Sequence, residues 1–134
     1  HWVHSVDRLK IARRLSEQRP ADKSPLKVCL QVNISAEDSK SGVDLQQLSA
    51  LAREVAALPR LELRGLMAIP ALTDDVAQQR HAFAALRQAL ESLRDVAPHM
   101  DTLSMGMSGD LESAIAEGAT IVRVGTAIFG PRQR

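Results

Sequence analysis

The spacing of apolar residues in this 134-residue chain changes repeatedly between a period of two and a period of about 3.6. A period of two is typical of a strand with one buried face, and a period near 3.6 is typical of a helix with an apolar stripe. Strands are predicted to start near residues 2, 27, 61, 102 and 121, and a helical pattern follows each of them. No two-residue hairpin turn joins the strands, so parallel pairing is predicted. The predicted fold class is therefore α/β.

Glycine patterns narrow the choice among parallel folds. No Gly-rich dinucleotide fingerprint follows the first strand and no Walker sequence is present, which disfavours a doubly wound nucleotide-binding fold. A series of βα units of a TIM-type barrel fits better. Such a barrel has eight strands in about 250 residues, so the five predicted units would form only part of one. Its two unpaired edges would favour self-association or pairing with a missing N-terminal segment.

The helices have predictable ends. Asp7 and Asp44 are expected to cap the first and second helices, because aspartate is a favoured N-cap residue. A longer third helix is predicted over residues 75–96, with Val76 at the start of its apolar stripe. Gly118 suits the left-handed position that follows the end of the fourth helix.

Two strands carry features that bear on function. In the strand over residues 27–34, Cys29, Gln31 and Asn33 alternate with apolar residues and form a polar inner face. Gln31 and Asn33 could bind either a ligand or buried water, so neither is assigned to a site. In the next strand, Gly65 indicates a bulge or a close approach of two backbones.

Composition excludes several classes of protein. Apolar residues make up 45% of the chain and charged residues 25%, which excludes intrinsic disorder. The net charge is +1 and no Lys/Arg cluster stands out, so neither nucleic acid nor an anionic membrane is an expected partner. The longest apolar run, residues 66–72, is far shorter than the roughly 20 residues of a membrane span. Without a secretory signal, a cytoplasmic location is expected. One cysteine and four histidines provide neither a disulfide nor metal-ligand spacing.

The last two strand ends carry the residues best suited to bind an anion. Ligands of TIM-type barrels bind at the carboxyl ends of the strands, and phosphate often lies between the last two loops and a short helix. The run 104–109 provides hydroxyls and flexible backbone, while Gly125 and Thr126 provide amide donors before a short helical turn. Converging donors are what a phosphate dianion requires. Simple turns remain the alternative, and Asp110 disfavours an anion unless its carboxylate points away.

Arg123 lies between Val122 and Val124, so its side chain is expected on the opposite face of the strand, toward the barrel interior or its mouth. A buried guanidinium needs an acceptor. That acceptor is either a protein carboxylate in a structural ion pair or an atom of a ligand, and both interpretations stay open.

Four runs carry a resemblance to a known family: NISAEDSKSG at 33–42, RGLMAIP at 64–70, TLSMGMS at 102–108 and VRVGTAIFG at 122–130. Together they closely resemble the pyridoxal phosphate homeostasis protein family over essentially the whole chain. The resemblance implies a barrel like the N-terminal domain of bacterial alanine racemase, which holds pyridoxal 5′-phosphate (PLP) as a Schiff base. It also implies cofactor buffering or delivery without catalytic turnover. The alternative is a PLP enzyme of the same fold type, such as an amino-acid racemase, although racemisation needs a tyrosine and this chain has none.

The resemblance also implies roles for individual residues. Ser108 and the amides of Gly125 and Thr126 would bind the phosphate, and Arg123 would face the pyridine nitrogen. An arginine there keeps that nitrogen unprotonated, which makes the ring a weak electron sink. The residues expected to line the pocket of the ring are Met67 and Met107, for which ordinary core packing is the alternative.

The covalent anchor of the family has no counterpart in this chain. The Schiff-base lysine of the family ends the first strand of the barrel, ahead of the region that this sequence matches. The lysines here are Lys10, Lys23, Lys27 and Lys40. Lys40 alone falls on the expected ligand side, as a secondary site or as a solvated loop lysine. Residues 1–134 are therefore expected to be the C-terminal part of a single PLP-binding barrel domain, without the N-terminal part that carries the anchor.

Overall fold

A computed structural model describes residues 2–34, 42–69, 75–97, 100–106 and 110–122. Apart from the consecutive strands β2 and β3, strands and helices alternate along these residues, as the sequence predicts. In chain order the elements are β1 (Trp2–Val6), α1 (Leu9–Gln18), β2 (Leu26–Asn33), β3 (Val43–Asp44), α2 (Leu45–Ala56), β4 (Leu61–Met67), α3 (Val76–Ser92), β5 (Thr102–Ser104) and α4 (Leu111–Ala116). No helix within the described ranges is both long and apolar enough to span a bilayer.

Every strand pairing within the described residues is parallel, which confirms the predicted α/β class. The strand order is β1-β2-β4-β5, with β3 paired to β2, and the sheet curls like half of a barrel. A parallel bridge between Ser104 and Ile121 lies where the fifth strand is predicted. The rest of that predicted strand, residues 123–124, lies outside the described residues. Strand β3 is not predicted by the sequence, because two residues are too few to show a period.

The helices pack against one face of the sheet. Alternate residues of β2 and β4 point to this face, as a period of two requires, and meet the apolar stripes of α2 and α3. Burial of these side chains is the main source of stability. The buried apolar residues of these elements include Val28, Leu30, Val32, Leu63, Leu66, Leu48, Ala52, Val55, Phe83, Leu86 and Leu90.

The sequence predicts a bulge or a close approach of two backbones at Gly65, and the structure has both. The register between β2 and β4 shifts as the pairing passes from Val28 to Cys29, which then pairs with Gly65. A Cβ atom on Gly65 would lie 1.9 Å from the carbonyl oxygen of Thr102 in β5. The bulge and the close approach therefore occur together, and beyond them β2, β4 and β5 continue in one register.

The predicted caps are correct for one helix start and wrong for another. Arg8, not Asp7, occupies the N-cap position of α1, because the Asp7 carboxylate accepts a hydrogen bond from the Gly42 amide at 3.2 Å instead. Asp44 is the N-cap residue of α2, but its side chain makes no capping hydrogen bond. Asp75 caps α3 in the usual way, accepting hydrogen bonds from two amides of the first turn at 2.9 and 3.4 Å.

The predicted third helix is too long at its carboxyl end. It ends at Ser92, and residues 93–96 form turns in which the Val96 amide donates to the Leu93 carbonyl. Val76 is 59% exposed and does not belong to the buried stripe. Gln79 takes the first buried position of α3, because its side chain is hydrogen-bonded to α4. Gly118 follows α4 with a φ of +98°, which confirms its predicted left-handed position.

Candidate functional site

The carboxyl ends of β4, β5 and the Ile121 bridge lie side by side at one edge of the sheet. The Ala68 amide donates to the Ser104 carbonyl at 3.2 Å, and the Met105 amide donates to the Ile121 carbonyl at 3.0 Å. These bonds continue the sheet beyond the last residues of β4 and β5. The two strands predicted to carry the anion-binding ends are therefore neighbours, as far as their last described residues, Gly106 and Val122.

Gly106 determines how the chain leaves β5. Its φ is +100°, a conformation that favours glycine. A Cβ atom here would lie 2.5 Å from Cβ of Ala114 in α4 and 3.5 Å from Cγ1 of Val122. The backbone of this strand end therefore rests directly on α4, and only glycine fits without displacing the helix.

A row of paired residues crosses the sheet on the face opposite the main helix layer. Gln31 pairs with Met67, Met67 pairs with Ser104, and Ser104 pairs with Ile121. Paired residues of parallel strands point to the same side, so their side chains share the face that becomes the interior of a barrel. Met67 is 4% exposed and Ser104 is fully buried, while Gln31 is half-buried. A thioether and polar groups thus lie together at the carboxyl edge.

Of the six predicted site residues, Met67 belongs to the described structure, and it lies at the carboxyl end of β4 on the interior face. The other five, and Lys40, lie outside the described residues; the five are Met107, Ser108, Arg123, Gly125 and Thr126. Within the described ranges no lysine lies at the carboxyl edge. Lys10 is in α1, Lys23 is in the turn after it, and Lys27 is near the amino end of β2.

Two residues at the carboxyl edge, Asp7 and Gln31, are not among the site residues predicted from the sequence. Asp7 follows the last residue of β1, and its carboxylate holds the Gly42 amide. Gly42 in turn approaches β2 so closely that a Cβ atom would lie 2.7 Å from the Asn33 amide nitrogen. An aspartate directly after a strand was the available signal for Asp7. The strand pattern predicts that Gln31 points inward, but its register with Met67 depends on the bulge at Gly65.

A separate charged cluster lies at the opposite, amino edge of the sheet. Arg64 donates two hydrogen bonds to Asp101, at 3.1 and 2.6 Å, and its NH1 lies 3.5 Å from a Glu62 carboxylate oxygen. Two cations lie over the ring of Trp2, Arg64 at 5.5 Å and Lys27 at 5.3 Å from its centroid. These contacts tie the amino ends of four strands together, on the side away from the candidate site.

The protonation states of this cluster follow from its contacts. The hydrogen bonds from Arg64 lower the pKa of Asp101, so its carboxyl is ionised at neutral pH. Burial, with the nearby charge of Asp101, raises the pKa of the Cys29 thiol to about 12. Cys29 is therefore an unreactive, neutral thiol. No group of three or more His, Cys, Asp or Glu side chains in the described part of the chain could hold a metal ion.

Comparison with known proteins agrees with the geometry. The family model described as alanine racemase, N-terminal domain, matches residues 1–133. The pyridoxal phosphate homeostasis protein of Pseudomonas aeruginosa is 65% identical over 98% of this chain and 56% of its own length. The protein of that name from Escherichia coli is 55% identical over the same shares. The structure of PipY from Synechococcus elongatus with PLP bound aligns with a TM-score of 0.84 and 37% identity, over 96% of this chain and 60% of PipY.

These comparisons confirm the resemblance that the four sequence runs predict. The chain spans about half the length of the curated relatives it matches. The half-barrel of parallel units is the part of the fold that is shared with PipY. Because the family model covers nearly all of the sequence, the chain belongs to the alanine racemase N-terminal domain family.

Proposed function

We propose that this chain provides the part of a PLP site that binds the phosphate and the ring, in a protein that buffers or delivers the cofactor. One observation carries the proposal: the carboxyl ends of β5 and of the Ile121 bridge are adjacent. In a barrel of this type, that is where a phosphate binds. The relatives from P. aeruginosa and E. coli are named for PLP homeostasis, and the PipY structure holds PLP.

The chemistry of the described residues suits this cofactor. Gly106 has no side chain and so brings this strand end directly against Ala114 of α4, beside the neighbouring strand end at Val122. The polarizable thioether of Met67 is a suitable neighbour for an aromatic ring, and Gln31 and Ser104 add polar groups to the same face. None of the residues of this row carries a charge. The Asp7 carboxylate at the same edge is held by Gly42 and Arg8.

The residues proposed to hold PLP are those that the family resemblance assigns. Ser108 and the amides of Gly125 and Thr126 would bind the phosphate, and Met67 and Met107 would contact the ring. Arg123 would face the pyridine nitrogen and keep it unprotonated. When bound, PLP supplies an electron sink, and an arginine at the ring nitrogen weakens that sink. A weak electron sink would favour binding without catalytic turnover, which is what we propose for this protein.

The covalent anchor lysine is proposed to lie in an N-terminal part of the protein that this chain does not contain, so that residues 1–134 form the C-terminal part of the domain. Without that lysine only phosphate and ring contacts remain. We therefore propose that the isolated chain binds PLP weakly and noncovalently. A borohydride-stable adduct on the isolated chain would contradict this and would indicate Lys40. Pairing with the missing segment, self-association and a cytoplasmic location remain predictions.

An amino-acid racemase is the second candidate, because the family model itself is named for alanine racemase. The chain has no tyrosine to serve as the second proton-transfer group, although another domain can supply one. An assay of alanine isomerisation by the complete natural protein separates the two functions. Measurable turnover would favour the racemase.

Titration of the complete natural protein with PLP, followed by absorbance, tests the proposed function. We expect a saturable change in the cofactor spectrum, and weaker binding by a Ser108→Ala variant because one phosphate donor is lost. Absence of binding at millimolar PLP would refute the proposal.

A further inference from the structure

Helix α4 joins the two strand ends of the proposed site. It begins five residues after Gly106 and ends five residues before Ile121. Six residues are too few for a helix to be stable by itself, so tertiary contacts must hold α4 in place. The position of α4 therefore affects both strand ends at once.

Contacts with β5 hold both ends of the segment that runs from Gly106 through α4 to Ile121. The Thr120 amide donates to the Leu103 carbonyl at 3.0 Å, and the Leu103 amide donates to Oγ1 of Thr120 at 2.9 Å. At the other end, Ala114 of α4 lies directly against the backbone of Gly106. A displacement of α4 would therefore move Gly106, the last described residue before the proposed phosphate donor Ser108.

Contacts with α3 hold α4 from the outer side, through a network of polar side chains. Ser113 donates to Oε1 of Gln79 at 2.7 Å, and both side chains are buried. The carboxylate of Glu117, 8% exposed, accepts from Arg80 at 2.8 Å through one oxygen and from Arg87 at 3.2 Å through the other. We call these five residues the α3–α4 network.

We propose that the α3–α4 network is a positioning device for phosphate, which fixes α4 and thereby the spacing of the two strand ends; this inference rests on the proposed function. Directional hydrogen bonds and a charge pair define one position more precisely than apolar contacts, which tolerate sliding. The five network residues lie in α3 and α4 or at the C-cap of α4, whereas Gln31, Met67 and Ser104 lie on strands of the sheet. Loss of the network should therefore affect recognition of the phosphate and not of the ring.

Three variants test this in the complete natural protein. Glu117→Gln removes the buried charge at constant size. The double variant Gln79→Leu with Ser113→Ala removes both partners of the buried hydrogen bond, so neither is left unsatisfied. Arg80→Gln is a milder change at a half-exposed position, in case the first two do not fold. The control is Asp101→Asn, which removes the carboxylate partner of an arginine at the opposite edge of the sheet.

Dissociation constants are measured for PLP and for pyridoxal, which lacks the phosphate, together with the thermal unfolding midpoint. We expect the Glu117 and double variants to bind PLP about tenfold more weakly or worse. A loss of this size corresponds to about one charge-assisted hydrogen bond between the protein and the phosphate. The Arg80 variant should show a smaller loss in the same direction. Pyridoxal binding should stay unchanged in all variants, and the control should bind both ligands normally.

The inference and the proposed function fail in different ways. If the natural protein binds neither ligand, the proposed function is refuted and the inference falls with it. If the natural protein binds PLP but the folded variants lose both ligands equally, or lose neither, the network is merely structural and the inference alone is overturned.

Discussion

Gly65 of β4 and Thr102 of β5 approach so closely that a Cβ atom on Gly65 would lie 1.9 Å from the Thr102 carbonyl oxygen. The two nearest atoms, the carbonyl oxygen and carbon of Thr102, belong to the backbone, which cannot turn aside as a flexible side chain can. This contact lies beside the bulge that sets the register of Gln31 against Met67.

Substitution of Gly65 by alanine should therefore destabilise the protein by about 2 kcal/mol or more, because the strands must separate to admit the methyl group. Chemical denaturation measures the loss. Gly118→Ala serves as the comparison, since its added Cβ would meet only Cδ of Arg87 at 3.6 Å. That variant should lose about 1 kcal/mol, from its left-handed backbone alone. Equal losses for the two variants would contradict the close approach at Gly65.

Gly106→Ala should lower both stability and the affinity for PLP, because its Cβ atom would lie 2.5 Å from that of Ala114 and would displace α4. Adding Ala114→Gly removes the methyl group that is struck, so the double variant should recover part of the lost stability. The strain of the positive φ would remain, at about 1 kcal/mol. A double-mutant cycle by chemical denaturation gives the coupling, and purely additive losses would disprove the contact.

Asp101 predicts a small pH dependence of stability. Because hydrogen bonds from Arg64 hold the pKa of this carboxyl below its ordinary value of 3.8 in the folded state, the stabilisation is present above about pH 4. It is lost as the pH falls through the lowered pKa. The pair is half-exposed, so its contribution is less than about 1 kcal/mol. Asp101→Asn should flatten this part of the stability profile, measured by denaturation at several pH values. An unchanged slope would show that the ion pair does not form.

The raised pKa of Cys29 predicts that the stability of the protein falls at high pH. Its folded pKa of about 12 lies above its ordinary value of 9.0, mainly because the thiol is buried. The unfolded chain therefore loses this proton first, and stability should fall as the pH rises above about 9. Native protein at pH 8 should resist alkylation at Cys29, and denatured protein should react, as followed by mass spectrometry of the Cys29 peptide. Rapid alkylation of the native protein would contradict its burial.

The sequence allows much of the fold to be predicted, because the evidence for it is local. Changes of apolar period locate the helices and strands, and the lone glycine in β4 indicates the bulge. Interactions between distant residues are not predictable in this way. Asp7 satisfies the rule for a helix cap, yet its carboxylate binds Gly42, 35 positions away. Strand β3 likewise forms because Gly42 turns the chain onto β2.

In the candidate site, too, local features are predictable from the sequence and contacts between distant residues are not. The position of Met67 at the carboxyl edge follows from the strand pattern, but its alignment with Gln31 depends on a register shift between β2 and β4 that no local pattern gives. The α3–α4 network could not be predicted from the sequence for a similar reason. Gln79 and Glu117 look like ordinary surface residues of helices in the sequence, and only the packing of α4 on α3 buries them.

The location of the phosphate group in a crystal structure of the complete natural protein with PLP tests the central claim most directly. The account predicts phosphate oxygens within about 3 Å of the Ser108 hydroxyl and of the amides of Gly125 and Thr126, between the two adjacent strand ends. A phosphate bound elsewhere, or a protein carboxylate occupying the space between those strand ends, would contradict it.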